Sequence, residues 1–134
     1  MTTEEQDTLK PWTPMAGIPE VLFCEALHDD EAGVRIDLAP PGSRTPAVRI
    51  TFESVIAYQN VNETYRHRTW QRAKGRHPTL LVVENSSWLS WLKHESGGIL
   101  DDVQLVHYAI YTPEDCIDVA SRSPPTIELV TARP

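Results

Sequence analysis

Two stretches of this chain alternate apolar and polar residues with a period of two, and they constrain the fold more than anything else in it. From Gly33 to Leu38, Val34, Ile36 and Leu38 alternate with Arg35 and Asp37. A second run sets Val48, Ile50 and Phe52 against Arg49, Thr51 and Glu53. Side chains of a strand point to opposite faces in turn, so each run predicts a strand buried on one face, as in an antiparallel meander. Glu20 to His28 is apolar enough for a strand or a short helix. Its position before Gly33–Leu38 favours a strand and a hairpin, with Asp29-Asp30-Glu31-Ala32-Gly33 as an acidic, solvated turn. The run at 48–52 is expected to continue as a bent strand through Val55, Ile56 and Tyr58.

Eleven prolines among 134 residues favour short elements and many turns. Residues 1–19, acidic and then rich in proline, read as a flexible N-terminal arm that becomes ordered around Trp12 or Ile18. Residues 20–134 read as a single domain. Asn62 is a candidate cap for a short helix to Arg72, within which Arg66, Arg68 and Arg72 begin the one basic segment of the chain, continued by Lys74 and Arg76. Thr79 to Val83 is a short buried strand by its unbroken apolar character. Asn85-Ser86-Ser87 supplies capping oxygens for a helix from Trp88 to Glu95, whose Trp88, Leu89, Trp91 and Leu92 share one face, and Gly97-Gly98 ends it. Gln104–Tyr111 and Cys116–Ala120 are further strands, and Ile127 and Leu129 suggest a last edge strand. The expected fold is α+β: a mostly antiparallel sheet of five to seven short strands with two short helices.

The net charge of −7 removes any general attraction to phosphate backbones, so nucleic acid is not an expected partner. No stretch approaches the roughly 20 apolar residues of a membrane span, and the acidic N-terminus is unlike a secretory signal. The expected location is the cytoplasm. Cys24 and Cys116 are read as reduced and buried, with a single disulfide left open.

Chemistry-bearing patterns are sparse. None of the five histidines forms an H-x-x-x-H pair, no C-x-x-C occurs, and Cys24 and His28 on a strand would lie about 13 Å apart. No metal and no cofactor is therefore expected. No serine sits in a G-x-S-x-G elbow, and no glycine-rich loop leads into a helix. The best nucleophile and base are Cys116 and His107, on strands that a turn at 112–115 folds together. A thiol in such apolar surroundings is more often a small core residue. The paired acids, Asp29 with Asp30 and Asp101 with Asp102, fall in solvated turns where burial cannot tune them. A polar set, Tyr58, Asn60, Glu63, Arg66 and His107, would meet in one ligand cleft if the strand ending at Tyr58 lies near the strand at 104–111.

YQNVNETYRHRTW (Tyr58–Trp70), LLVVENSSWLSWLKHESGGI (Leu80–Ile99) and HYAIYTPEDCIDVAS with the following Pro124-Pro125 resemble a family of small bacterial proteins. The likeness covers about half of the chain and brings no catalytic motif with it. By analogy of size, charge and missing catalytic chemistry, such chains look like the immunity partners of bacterial toxins. The expected function is a non-enzymatic protein-binding module that neutralises a basic toxin, or binds another protein, by occlusion. Asp29, Asp30, Glu31, Asp101 and Asp102 would steer it and aromatic residues would anchor it. Self-association as a homodimer, a small-molecule cleft and a minor Cys/His activity are the alternatives.

Overall fold

The computed structural model describes residues 6–73 and 77–130. Nine strands and two helices follow one another: β1 (Thr8–Pro11), β2 (Phe23–Asp30), β3 (Gly33–Ala39), β4 (Val48–Phe52), β5 (Val55–Asn62), α1 (His67–Ala73), β6 (Leu80–Glu84), α2 (Ser87–Glu95), β7 (Val106–Tyr111), β8 (Asp115–Ser121) and β9 (Thr126–Leu129). A 3-10 turn at Glu63–Tyr65 leads into α1, and the Asn62 side chain caps it by accepting from Thr64 N. The strands form two antiparallel sheets, ordered β1-β6-β7-β8-β5 and β2-β3-β4-β9. Mostly antiparallel sheet with two helices is an α+β fold, but with nine strands rather than five to seven.

The two additional strands have separate causes. Residues 53 and 54 bend the chain after Phe52, so the run at 55–58 leaves the meander and pairs with β8 in the other sheet instead of prolonging β4. Residues 8–11, read as part of the arm, pair with β6 from Thr8↔Glu84 to Pro11↔Leu81. Pro11 is tolerated because β1 is an edge strand. Asp7, just before β1, accepts from the backbone N and the hydroxyl of Ser87 (2.7 and 3.2 Å) and lies 3.8 Å from Arg72, joining the starts of β1 and α2 to α1.

The alternating residues meet between the sheets. Leu22, Val34, Ile36, Leu38, Val48, Ile50 and Phe52 face Leu80, Tyr108, Ile110, Ile117 and Val119 in one core, with Trp12 and Ile18 packed against it. Phe52 meets the Tyr108 ring edge-on at 5.3 Å, and Trp12 lies 5.0 Å from the same ring. Gly33 closes the β2–β3 turn at φ +114°, where a Cβ would run into the Phe52 carbonyl. The other face of the five-stranded sheet carries a smaller cluster, Leu81, Val83, Ala109, Tyr111 and Cys116, packed with Leu9 and Trp70. This outer face, beneath α1 and α2, also holds the polar groups of interest. No helix among the described residues is long and apolar enough to cross a membrane.

Candidate functional site

Asp118 lies near the middle of β8, opposite Ala109 of β7 and Gln59 of β5, and is fully buried. Four donors converge on its carboxylate. Oδ1 receives the Tyr111 hydroxyl at 2.6 Å and pairs with His107 Nε2 at 2.7 Å. Oδ2 receives Arg66 Nη1 at 2.8 Å and Gln59 Nε2 at 3.0 Å. Arg66 is fixed in turn: Nη2 donates to the Tyr111 hydroxyl and Nε to Thr69 Oγ1, both at 3.0 Å. Burial by itself would raise the Asp118 carboxyl, but the hydrogen bond and electrostatic attraction of His107, the Arg66 charge and the Tyr111 hydrogen bond outweigh it and hold the group at about 2. Burial likewise works against the Arg66 charge, and Asp118 more than restores it.

On the far side of the imidazole, Ser86 Oγ lies 2.7 Å from His107 Nδ1. Ser86 is the N-cap of α2, and its Oγ accepts the Leu89 N–H at 3.1 Å. In the neutral ring the serine proton therefore goes to Nδ1, and Nε2–H is donated to Asp118. The result is a serine–imidazole–carboxylate relay with the two ring nitrogens exchanged relative to serine hydrolases. It also follows a strand–turn–helix step. The residue at positive φ is Asn85 (54°), however, and not the serine, as a nucleophile elbow would require.

Three features make this relay a clamp. Ser86 and His107 are only 7% and 3% exposed, and the Trp88 ring packs edge-on against the imidazole at 5.0 Å. The serine oxygen is committed to capping α2. The carboxylate serves Arg66 and Tyr111 as fully as it serves His107. Every charge in the cluster is satisfied internally, which couples α2, the segment before α1, and strands β5, β7 and β8.

The residues singled out in the sequence are distributed unevenly. Arg66 and His107 come together through Asp118, whereas Tyr58 and Asn60 do not join them. Strand alternation puts Gln59 on the outer face and turns Tyr58 and Asn60 the other way, where the Tyr58 hydroxyl donates to Asp29 (3.0 Å) and Asn60 Nδ2 to Asp115 (3.0 Å). The proposed cleft is thus divided between the two faces of β5.

Cys116 and His107 share the outer face, but β7 sets Tyr111 opposite Cys116 and Ala120 opposite His107. Four residues of strand, about 13 Å, separate them along the sheet. Burial also pushes the Cys116 thiol up to about 12, so a Cys–His nucleophilic pair does not form. Both cysteines are free, Cys116 buried and Cys24 half-buried, with Cys24 pushed up by burial to about 11.

Asp29, Asp30 and Glu31 are exposed at the tip of the β2–β3 hairpin, where Asp30 Oδ1 accepts the Ala32 N–H at 2.8 Å. This tip lies at the end of the sandwich where Gly33 abuts Phe52, Arg122 N donates to Ser54 O (3.0 Å), and Ser121 pairs with both Val55 and Val106. The connection carrying exposed Asp101 and Asp102 enters β7 at Val106, at the same end.

Glu63 lines a cavity of about 310 Å³ with Val21, Trp70, His77, Thr79, Tyr111, Thr112 and Pro113. Among the described residues, no three of His, Cys, Asp and Glu converge as a metal site.

Asp118 went unremarked in the sequence, although an acid inside the otherwise apolar run CIDVA had to be paired once that run was a buried strand. Ser86 was legible as a cap, but its bond to a histidine 21 residues away was not. No protein-family model, curated protein or solved structure matches this chain.

Proposed function

We propose that this chain is a non-catalytic protein-binding module of the immunity type, whose acidic end docks on a basic surface of a partner, most concretely a toxin neutralised by occlusion. Membership of the small bacterial family that its segments resemble belongs to the same proposal. The observation that carries the reading is the exposed acidic tip Asp29–Glu31, at the end of the sandwich where the connection bearing exposed Asp101 and Asp102 enters β7. These acids are not spent in a buried network, unlike Asp118, so their charge remains available for steering a partner. Tyr58, 36% exposed and bonded to Asp29, supplies an aromatic contact beside the hairpin. The groups with chemical potential give independent support, because the serine, imidazole and thiol are all buried.

The test is capture by the tagged protein from its native lysate, at low and then at moderate salt, beside an Asp29→Lys/Asp30→Lys/Glu31→Lys variant. One stoichiometric basic partner is expected, weakened by salt and lost from the variant. Capture that is indifferent to charge reversal, or capture of the chain's own second copy alone, would count against the proposal.

A further inference from the structure

The cavity beside α1 has a chemistry of its own, independent of the acidic end. Its walls are aromatic. The Trp70 and His77 rings stack at 5.2 Å with an interplanar angle of 11°, and Tyr111 stands edge-on to both, at 5.9 and 6.4 Å. Val21 and Pro113 complete an apolar lining. A volume of about 310 Å³ suits a small organic molecule, at the lower end of ligand pockets.

Most polar groups in this lining are already committed. Tyr111 donates its hydroxyl proton to Asp118 and accepts from Arg66. Thr112 Oγ1 accepts from the backbone of Glu114 and Asp115. Thr79 Oγ1 accepts the Leu22 N–H, which leaves its proton and one lone pair. His77 Nδ1 lies 2.8 Å from the Pro78 carbonyl, which can only accept, so Nδ1 carries a proton. Among the described residues, Glu63 has one weak side-chain contact, the neighbouring Thr64 hydroxyl at 3.5 Å, and no cation paired with it. Glu63 is half-buried among the residues that line the cavity. Arg66, the cation against Tyr111, is neutralised by Asp118.

Among the described residues, what remains open to a ligand is one carboxylate, the His77 ring edge, the Thr79 hydroxyl and aromatic surface, a set that can take positive charge and N–H or O–H donors. We propose that this cavity binds a small organic ammonium ion, held by the Glu63 carboxylate against the Trp70, His77 and Tyr111 rings.

The Trp70 indole N–H donates to the Glu63 backbone carbonyl at 2.8 Å and is a built-in reporter. Its resonance, assigned among the four tryptophans with a Trp70→Phe variant, can be followed by NMR on the full chain. The probes are choline and the neutral alcohol in which carbon replaces its quaternary nitrogen. Choline is expected to shift the Trp70 signal saturably and to bind about tenfold more tightly than the neutral alcohol. Glu63→Gln, which leaves the backbone carbonyl and hence the reporter bond in place, is expected to abolish that preference. Equal binding of the two probes, no saturable shift with choline, or a preference that survives Glu63→Gln would overturn the proposal.

Discussion

Asp118 is the residue on which the outer face of the sheet depends, because among the described residues it alone balances the buried Arg66 guanidinium. Asp118→Asn keeps the shape but leaves that cation without a counter-charge. The expected loss is about 3–5 kcal/mol in urea unfolding, and replacing Arg66 by Met in the same chain should recover part of it. An Asp118→Asn protein as stable as the wild type would show that the carboxylate is not ionised as described. The pH dependence has a definite sign. With a folded value of about 2 against roughly 3.9 in an unfolded chain, the unfolded state takes up the proton first. The stabilisation is complete above about pH 5 and is lost as pH falls towards 2, about 2.6 kcal/mol in all. Asp118→Asn should flatten that part of the wild-type acid profile.

At the scale of elements, the joints between strands and helices are the sensitive points. Ser86→Ala removes both the cap of α2 and the partner of His107 Nδ1, and should cost about 1–2 kcal/mol with the fold retained. Gly33→Ala should be more damaging than any change in the exposed turn beside it, because its φ is positive and the Phe52 carbonyl occupies the space of a Cβ. Thermal unfolding of Gly33→Ala beside Ala32→Ser separates the two, and equal midpoints would contradict this. These joints also mark what was legible in the sequence. The alternation at 34–38 and 48–52 and the capping oxygens at 85–87 are local signals, and the strands and helix they announce are present. The crossing of β5 into the second sheet and the pairing of β1 with β6 are not local. They depend on which edge is free after the rest of the sandwich has formed, and no period along the chain encodes that. The polar relay was hidden for the same reason, since its members lie on β5, β7, β8, α2 and the segment before α1.

The whole molecule separates its charges by function. Asp118, Arg66 and His107 are buried together and hold the helical cover to the sheet, and Asp37 is similarly enclosed between Arg35 and Arg49 on the other sheet. Asp29, Asp30 and Glu31 are exposed at the β2–β3 tip, and exposed Asp101 and Asp102 lie on the connection that enters β7 at that end of the sandwich. Two edge strands, β2 and β5, run along one side of it, each with a bulge and joined by the Tyr58–Asp29 bond. Such bulges discourage indiscriminate pairing of strand edges, which suits a partner selected by charge. On the proposed function, the acidic end recognises a partner and the serine–histidine–aspartate relay only supports the fold. The most direct measurement compares partner capture by the wild type, the Asp29→Lys/Asp30→Lys/Glu31→Lys variant and Ser86→Ala in one quantitative experiment at low salt. Ser86→Ala is expected to retain the partner and the charge-reversed protein to lose it. Loss from Ser86→Ala with full retention by the charge-reversed protein would contradict it and return the relay to the centre of the function.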